Sequence, residues 1–132
     1  MLRRLAARLS ARPAEVRRST KRAAVAMVMR VRRRDGRPHA VSPQVLQSQE
    51  LERCGGSFVE MLYICRTARD SDRWSGHVAF PGGRREPGDI DDRAAAAREA
   101  REELGLDLES EAFLHLGQLD DRPVTAGGKR IP

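Results

Sequence analysis

Three glutamates at helical spacing are the residues of this sequence best suited to do chemistry. Glu99, Glu102 and Glu103 occupy positions i, i+3 and i+4, which share one face of an α-helix. Like charges at that spacing destabilise a helix by about 0.2–0.5 kcal/mol per pair, so a face that only contacts water gains nothing from them. Carboxylate oxygens are ligands that Mg²⁺ and Mn²⁺ prefer. The spacing therefore favours a divalent metal site.

The stretch before these glutamates, residues 81–89 (PGGRREPGD), contains two prolines and three glycines, and this composition predicts a loop. Gly82 and Gly83 lack a Cβ atom, so the backbone there can approach a bound ion or phosphate closely. A backbone carbonyl at this point could be a further metal ligand. Carboxylates beside such a loop suit phosphoryl chemistry, because a divalent ion neutralises a diphosphate and lowers the pKa of an attacking water.

Residues 82–106 (GGRREPGDIDDRAAAAREAREELGL) resemble the signature motif of the Nudix hydrolases. The second half of that motif, Arg-Glu-x-x-Glu-Glu-x-Gly, is matched without a gap from Arg98 to Gly105, and the apolar Leu106 follows. The first half departs from the usual pattern. Asp89 stands where a glutamate is expected, and one extra residue separates it from Arg98.

The shifted acid is similar to that of the coenzyme A diphosphatase branch of the family. That branch also has a Gly-x-x-x-Phe-Pro-Gly-Gly segment, which this sequence matches from Gly76 to Gly83. Its upstream arginines are matched loosely, with spacing that differs by one residue, by Arg66, Arg69 and Arg73. The resemblance favours a coenzyme A-type substrate, and a related nucleoside diphosphate derivative is the alternative.

The resemblance implies an enzyme that uses Mg²⁺ or Mn²⁺ to hydrolyse a nucleoside diphosphate linked to another group. Glu99, Glu102 and Glu103 would hold the metal, and Glu99 would also take a proton from the attacking water. Arg98 would orient the glutamates by hydrogen bonding. The remaining implied site residues are Gly83 and Asp89 near the metal, and Arg66, Arg73, Gly82 and Gly83 on the substrate.

A different class of function is a catalytically weak or inactive Nudix fragment that acts as a basic RNA- or protein-binding module. The chain has 25 Lys and Arg against 19 Asp and Glu, for a formal net charge of +6, which makes anionic partners plausible. Nucleic acid is the less favoured partner, because the motif points to a nucleotide-containing small molecule. A homodimer is compatible with either function.

Around the motif, the pattern predicts an α/β fold. Short apolar runs predict strands at 23–31, 57–65, 76–80 and 112–119. A helix is expected from a cap at Asp91 or Asp92 to Gly105, packing its alanine face on a sheet, and a short helix from Ser42-Pro43 to about Arg53. The resemblance implies an α/β/α sandwich with a mixed sheet. Because only residues 107–132 follow the motif, we expect this Nudix-like domain, 23–132, to be incomplete at its C-terminal end and weakly stable or weakly active.

Residues 1–22 form a separate basic segment. Leu2, Leu5, Ala6 and Leu9 lie at helical spacing with arginines on the other face, and this is the composition of a mitochondrial leader. The alternative is a helix that stays attached and contacts the domain, in a cytoplasmic protein. Cys54 and Cys65 are expected to be reduced thiols. No run approaches the roughly 20 apolar residues that span a bilayer.

Overall fold

The computed structural model describes residues 2–39, 58–68, 70, 76–126 and 129–130. Among these residues the chain forms two helices and nine short strands, so the predicted α/β class is confirmed. In chain order the elements are α1 (Leu2–Ala11), β1 (Ala23–Val25), β2 (Met29–Arg32), β3 (Pro38–His39), β4 (Phe58–Met61), β5 (Ile64–Cys65), β6 (Val78–Ala79), β7 (Gly82–Arg84), α2 (Asp92–Leu104), β8 (Thr125–Ala126) and β9 (Lys129–Arg130). The predicted helix from Ser42 to Arg53 lies outside the described residues.

The predicted strand at 23–31 is two strands, because the chain changes its pairing partner halfway. β1 pairs antiparallel with β7, whereas β2 pairs antiparallel with β4 on one side and with β3 on the other. Between them, the N–H of Ala26 donates to the carbonyl of Pro81 at 2.8 Å, and the N–H of Leu62 donates to the carbonyl of Val28 at 2.9 Å. The two pairings therefore follow each other along one extended segment.

The prediction that 81–89 is entirely loop is wrong, since β7 lies within it. Gly82 has φ +148°, and a Cβ atom there would lie 2.3 Å from the backbone oxygen of Ala24 in β1. The composition that predicts a loop here allows the two backbones to pair at close range instead. The glycine pair is thus held in a strand.

The other strand predictions need similar corrections. The run at 57–65 is divided into β4 and β5, and the run at 76–80 is reduced to β6, which pairs antiparallel with β5. The segment 112–119 is not a strand; within it Gly117 adopts φ +139°, and a Cβ atom there would lie 2.8 Å from Cβ of Leu9 in α1. The two-stranded hairpin of β8 and β9 was not predicted.

Two small apolar regions hold the elements together. Ala95, Ala96 and Ala100 of α2 are buried, and α2 packs on β1 and β7, so the predicted packing of the alanine face is confirmed. The second region surrounds Val31 of β2, which is packed by Ala6, Met29, Val59 and Leu116. The first region positions the helix that carries the glutamates.

The N-terminal segment lies against the chain that follows α2. Besides the contact of Leu9 with Gly117, the N–H of Asp121 donates to the carbonyl of Glu15 at 3.0 Å. The side chain of Asp121 in turn accepts from the N–H of Arg17 at 2.7 Å. Neither helix of the described residues is long and apolar enough to cross a membrane.

Candidate active site

Helix α2 begins and ends where the sequence predicts. The side chain of Asp91 accepts a hydrogen bond of 2.7 Å from the N–H of Ala94, which satisfies one of the free donors at the helix start. Gly105 adopts φ +69°, and its N–H donates to the carbonyl of Arg101 at 2.9 Å. These caps fix the length of the helix. The sequence spacing of the three glutamates therefore sets their positions around the helix axis.

Two of the glutamates lie directly against the glycine pair of β7. The N–H of Gly82 donates to Oε2 of Glu103 at 3.0 Å. A Cβ atom at Gly83 would lie 2.2 Å from Oε1 of Glu99, so that carboxylate occupies the space that any other residue at position 83 would fill. The structure therefore brings Gly82, Gly83, Glu99 and Glu103 together.

The third glutamate is placed differently. The side chain of Glu102 is 58% exposed and accepts from Nη1 of Arg98 at 3.1 Å. Within the described part of the chain, no three Asp, Glu, His or Cys side chains stand close enough together to enclose a metal ion. The site thus offers two carboxylates that contact the glycine pair and a third that contacts Arg98, all of them oxygen donors of the kind that Mg²⁺ and Mn²⁺ bind.

Arg98 links the glutamates to the loop before the helix. Its Nη1 lies 3.2 Å from Oε1 of Glu99 as well as near Glu102. Its Nη2 donates to the carbonyl of Arg84 at 2.9 Å, and its Nε donates to Oδ1 of Asp89 at 3.1 Å. All three guanidinium nitrogens therefore have acceptors, and one side chain fixes the positions of both glutamates relative to β7.

Asp89 is the least exposed of the predicted site carboxylates, with 6% of its side chain exposed. It accepts from Nε and Nη2 of Arg98 at 3.1 and 3.2 Å, and from the N–H of Glu86 at 2.8 Å. The Arg98 guanidinium, followed by the Glu86 N–H, holds the pKa of Asp89 below its usual value, and the pair raises the pKa of Arg98. Both oxygens of Asp89 are already engaged by these donors.

Of the predicted substrate-binding arginines, Arg66 directly follows β5. The N–H of Arg66 donates to the carbonyl of His77 at 3.0 Å, and its carbonyl accepts from Gly76 at 3.2 Å. These bonds extend the pairing of β5 with β6. Arg69 and Arg73 lie outside the described residues.

A second arginine, Arg22, also holds α2 in place, and the sequence pattern did not predict it. Nε of Arg22 donates to Asp92 at 2.9 Å, and its Nη2 donates to Asp121 at 2.8 Å. The Arg22 guanidinium holds the pKa of Asp92 below its usual value. Arg22 thereby joins the N-terminal segment, the first turn of α2 and the chain after it. Arginine is common in residues 1–34, so nothing in the pattern distinguishes position 22.

Comparison with known proteins agrees with the geometry. A family model described as NUDIX domain matches residues 20–128. An uncharacterised protein of Schizosaccharomyces pombe is 46% identical over 72 residues, which cover 54% of this chain and 22% of that protein. The peroxisomal coenzyme A diphosphatase of Mus musculus is 53% identical over 47 residues, covering 34% of this chain and 20% of that protein. The mitochondrial coenzyme A diphosphatase of Homo sapiens is 47% identical over 51 residues, which cover 39% of this chain and 22% of that protein.

These matches span about a fifth of the length of the curated relatives. No solved structure matches the chain. The family model, by contrast, covers most of the chain, and it includes the strand β7, the helix α2 and the motif from Arg98 to Gly105. This chain belongs to the Nudix domain family.

Proposed function

We propose that this chain is a hydrolase that cleaves a phosphoanhydride bond in a nucleoside diphosphate linked to another group, with a coenzyme A-type substrate favoured. The observation that carries the proposal is the contact of Glu99 and Glu103 with the glycine pair of β7. Two carboxylates are thereby placed directly against the backbone of β7, where a bound ion would meet carboxylate and backbone oxygens together. The similarity to two coenzyme A diphosphatases supports the choice of substrate.

The proposal includes a divalent ion, Mg²⁺ or Mn²⁺, which Nudix hydrolases generally need. Glu99 and Glu103 would hold it together with Glu102, and the carbonyl of Gly83 is proposed as a further ligand. The bound ion would neutralise charge on the diphosphate and lower the pKa of the attacking water. Its oxygen-only donor set is the reason for choosing these two metals.

The other roles are assigned to the residues around the ion. Glu99 is proposed to accept the proton of the attacking water, because its carboxylate lies at the glycine pair and is only 18% exposed. Arg98 holds Glu99 and Glu102 in position. Asp89, whose oxygens are engaged by Arg98 and Glu86, is proposed to position Arg98 rather than to bind the metal directly. Gly82, Arg66 and Arg73 are proposed to contact substrate.

For the N-terminal segment we propose that it stays attached to the domain, in a mitochondrial protein. The contacts of Leu9, Arg17 and Arg22 with the chain beyond α2 support the attachment. The location is supported by the basic amphipathic character of residues 1–22 and by the similarity to a mitochondrial relative. A reporter fused to residues 1–22 that stays in the cytosol would contradict it.

The experiment that tests the activity is a substrate panel with Mg²⁺ and with Mn²⁺. It includes coenzyme A and its thioesters, NADH, ADP-ribose and dinucleotide polyphosphates. The parent chain is compared with Glu103→Gln, which keeps an acceptor for the Gly82 N–H but removes the charge, and with Glu111→Gln, an exposed glutamate outside the site. Hydrolysis that Glu103→Gln loses and Glu111→Gln keeps supports the proposal. Absence of hydrolysis with retained anion binding would favour the non-catalytic module.

A further inference from the structure

Outside the carboxylate site, the structure contains a stacked aromatic pair that is partly open to solvent. The rings of Tyr63 and Phe80 stack with their centroids 4.8 Å apart and their planes inclined by 23°. Tyr63 is 52% exposed. Phe80 covers one face of the tyrosine ring, and about half of the tyrosine nevertheless stays accessible to a ligand.

The pair lies close to the glycine strand along the chain. Phe80 is two residues before Gly82, whose N–H contacts Glu103, and two residues of backbone span at most about 7 Å. The intervening Pro81 is fully buried, and its carbonyl accepts from Ala26 at 2.8 Å. Phe80 is therefore tied firmly to the strand that contacts the glutamates.

The tyrosine ring is also held in place. Its hydroxyl donates to Sδ of Met61 at 3.3 Å, and the N–H of the preceding residue, Leu62, is bonded to Val28 of the neighbouring segment. A ring that is fixed before binding loses little conformational freedom when a ligand stacks on it. Its exposed part is thus suited to recognition of a flat, uncharged group.

We propose that Tyr63, supported by Phe80, is the stacking surface for the nucleobase of the substrate. In a nucleotide a single ribose separates the base from the first phosphate, so a base on Tyr63 leaves the diphosphate near Gly82 and Gly83. Stacking on an aromatic side chain accepts any base, because every base has a π face. The proposal rests on the proposed function in that both assume a nucleotide-containing substrate.

The test is equilibrium binding in metal-free buffer, which needs no turnover. The parent chain, Tyr63→Ala, Tyr63→Leu and Tyr63→Phe are titrated with ADP and, separately, with inorganic pyrophosphate. We expect Tyr63→Ala and Tyr63→Leu to weaken ADP binding by about 5- to 150-fold and to leave pyrophosphate binding unchanged. Tyr63→Phe keeps the ring and should bind ADP like the parent. Phe58→Ala removes another half-exposed aromatic ring and should change neither titration.

Tyr63→Leu retains apolar bulk at the position, so the comparison survives if Tyr63→Ala does not fold. Equal ADP affinity of the parent and Tyr63→Leu overturns the proposal, and so does a parallel loss of ADP and pyrophosphate binding. A parent chain that hydrolyses nothing in the substrate panel but shows this ADP-specific loss contradicts the proposed function alone. Hydrolysis whose KM is the same in the parent and Tyr63→Leu contradicts the stacking surface alone.

Discussion

The backbone N–H of Gly82 donates a 3.0 Å hydrogen bond to Oε2 of Glu103, and this bond ties β7 to the last turn of α2. A backbone donor cannot rotate away as a side chain can, so the position of one carboxylate is set by the strand. Gly83, which lacks a side chain, leaves the space that the Glu99 carboxylate occupies. The glutamates therefore depend on both glycines for their arrangement.

Substitution of Gly83 by alanine should lower the activity and leave the stability nearly unchanged. The new Cβ would lie 2.2 Å from Oε1 of Glu99, and the carboxylate must move because it is the mobile end of a side chain. We expect hydrolysis to fall about 100-fold, the size of effect that follows a displacement of roughly 1 Å in a catalytic group. The free energy of unfolding in urea should change little. Gly88→Ala is the control, since a Cβ there meets open space; equal activities of the two variants would contradict the prediction.

Replacement of Asp89 by asparagine should impair catalysis without removing a group that touches the substrate. The amide keeps one acceptor for Arg98 but turns an N–H₂ group towards the guanidinium, so the arginine loses its charged partner. We expect kcat to fall by about 10- to 100-fold, the usual range for a group that orients metal ligands, with KM nearly unchanged. Asp107→Asn removes the partner of a largely exposed arginine, Arg101, and should leave kcat as in the parent. A large rise in KM for Asp89→Asn would indicate contact with the substrate instead.

Replacement of Arg22 by glutamine should reduce stability more than activity per folded molecule. The change leaves Asp92 and Asp121 without their shared cation, and all three side chains are less than a fifth exposed. We expect a loss of about 2–4 kcal/mol in the free energy of unfolding, measured with urea. Arg30→Gln breaks a pair whose arginine is mostly exposed and should cost much less. Equal losses in the two variants would contradict a special role for Arg22.

The same arginine predicts a pH dependence. Arg22 lowers the pKa of Asp92 from its usual 3.8 in the folded chain, so the stabilisation is fully present above that value. It is lost as pH falls through the lower folded pKa and Asp92 takes up a proton. Urea unfolding should therefore show a loss of stability below about pH 4 that is smaller in Arg22→Gln. Identical pH profiles of stability for the parent and Arg22→Gln would show that the pair does not couple the protonation of Asp92 to folding.

Features that depend on local sequence were predictable. The ends of α2 follow from the cap at Asp91 and from Gly105, and the spacing within the helix places Glu99 and Glu103 on the side that meets β7. Which segments pair was not predictable, because an apolar run does not specify its partner. The apolar run at 23–31 therefore gave no sign that β1 and β2 pair with different strands. The segment 112–119 has the composition of a strand, but it contacts α1 at Gly117. The prediction of a loop at the glycine pair is wrong because the same composition suits a loop and a close backbone pairing.

The contact between Arg22 and Asp121 also bears on the order in which the chain folds. The two residues are 99 positions apart in the sequence, and contacts of such long range form late because a large loop must close first. During synthesis the helix α2, which carries Asp92 as another partner of Arg22, would leave the ribosome before Asp121 does. The bond between Arg22 and Asp92 can thus form as soon as α2 has emerged, but the bond between Arg22 and Asp121 must wait until residue 121 has emerged.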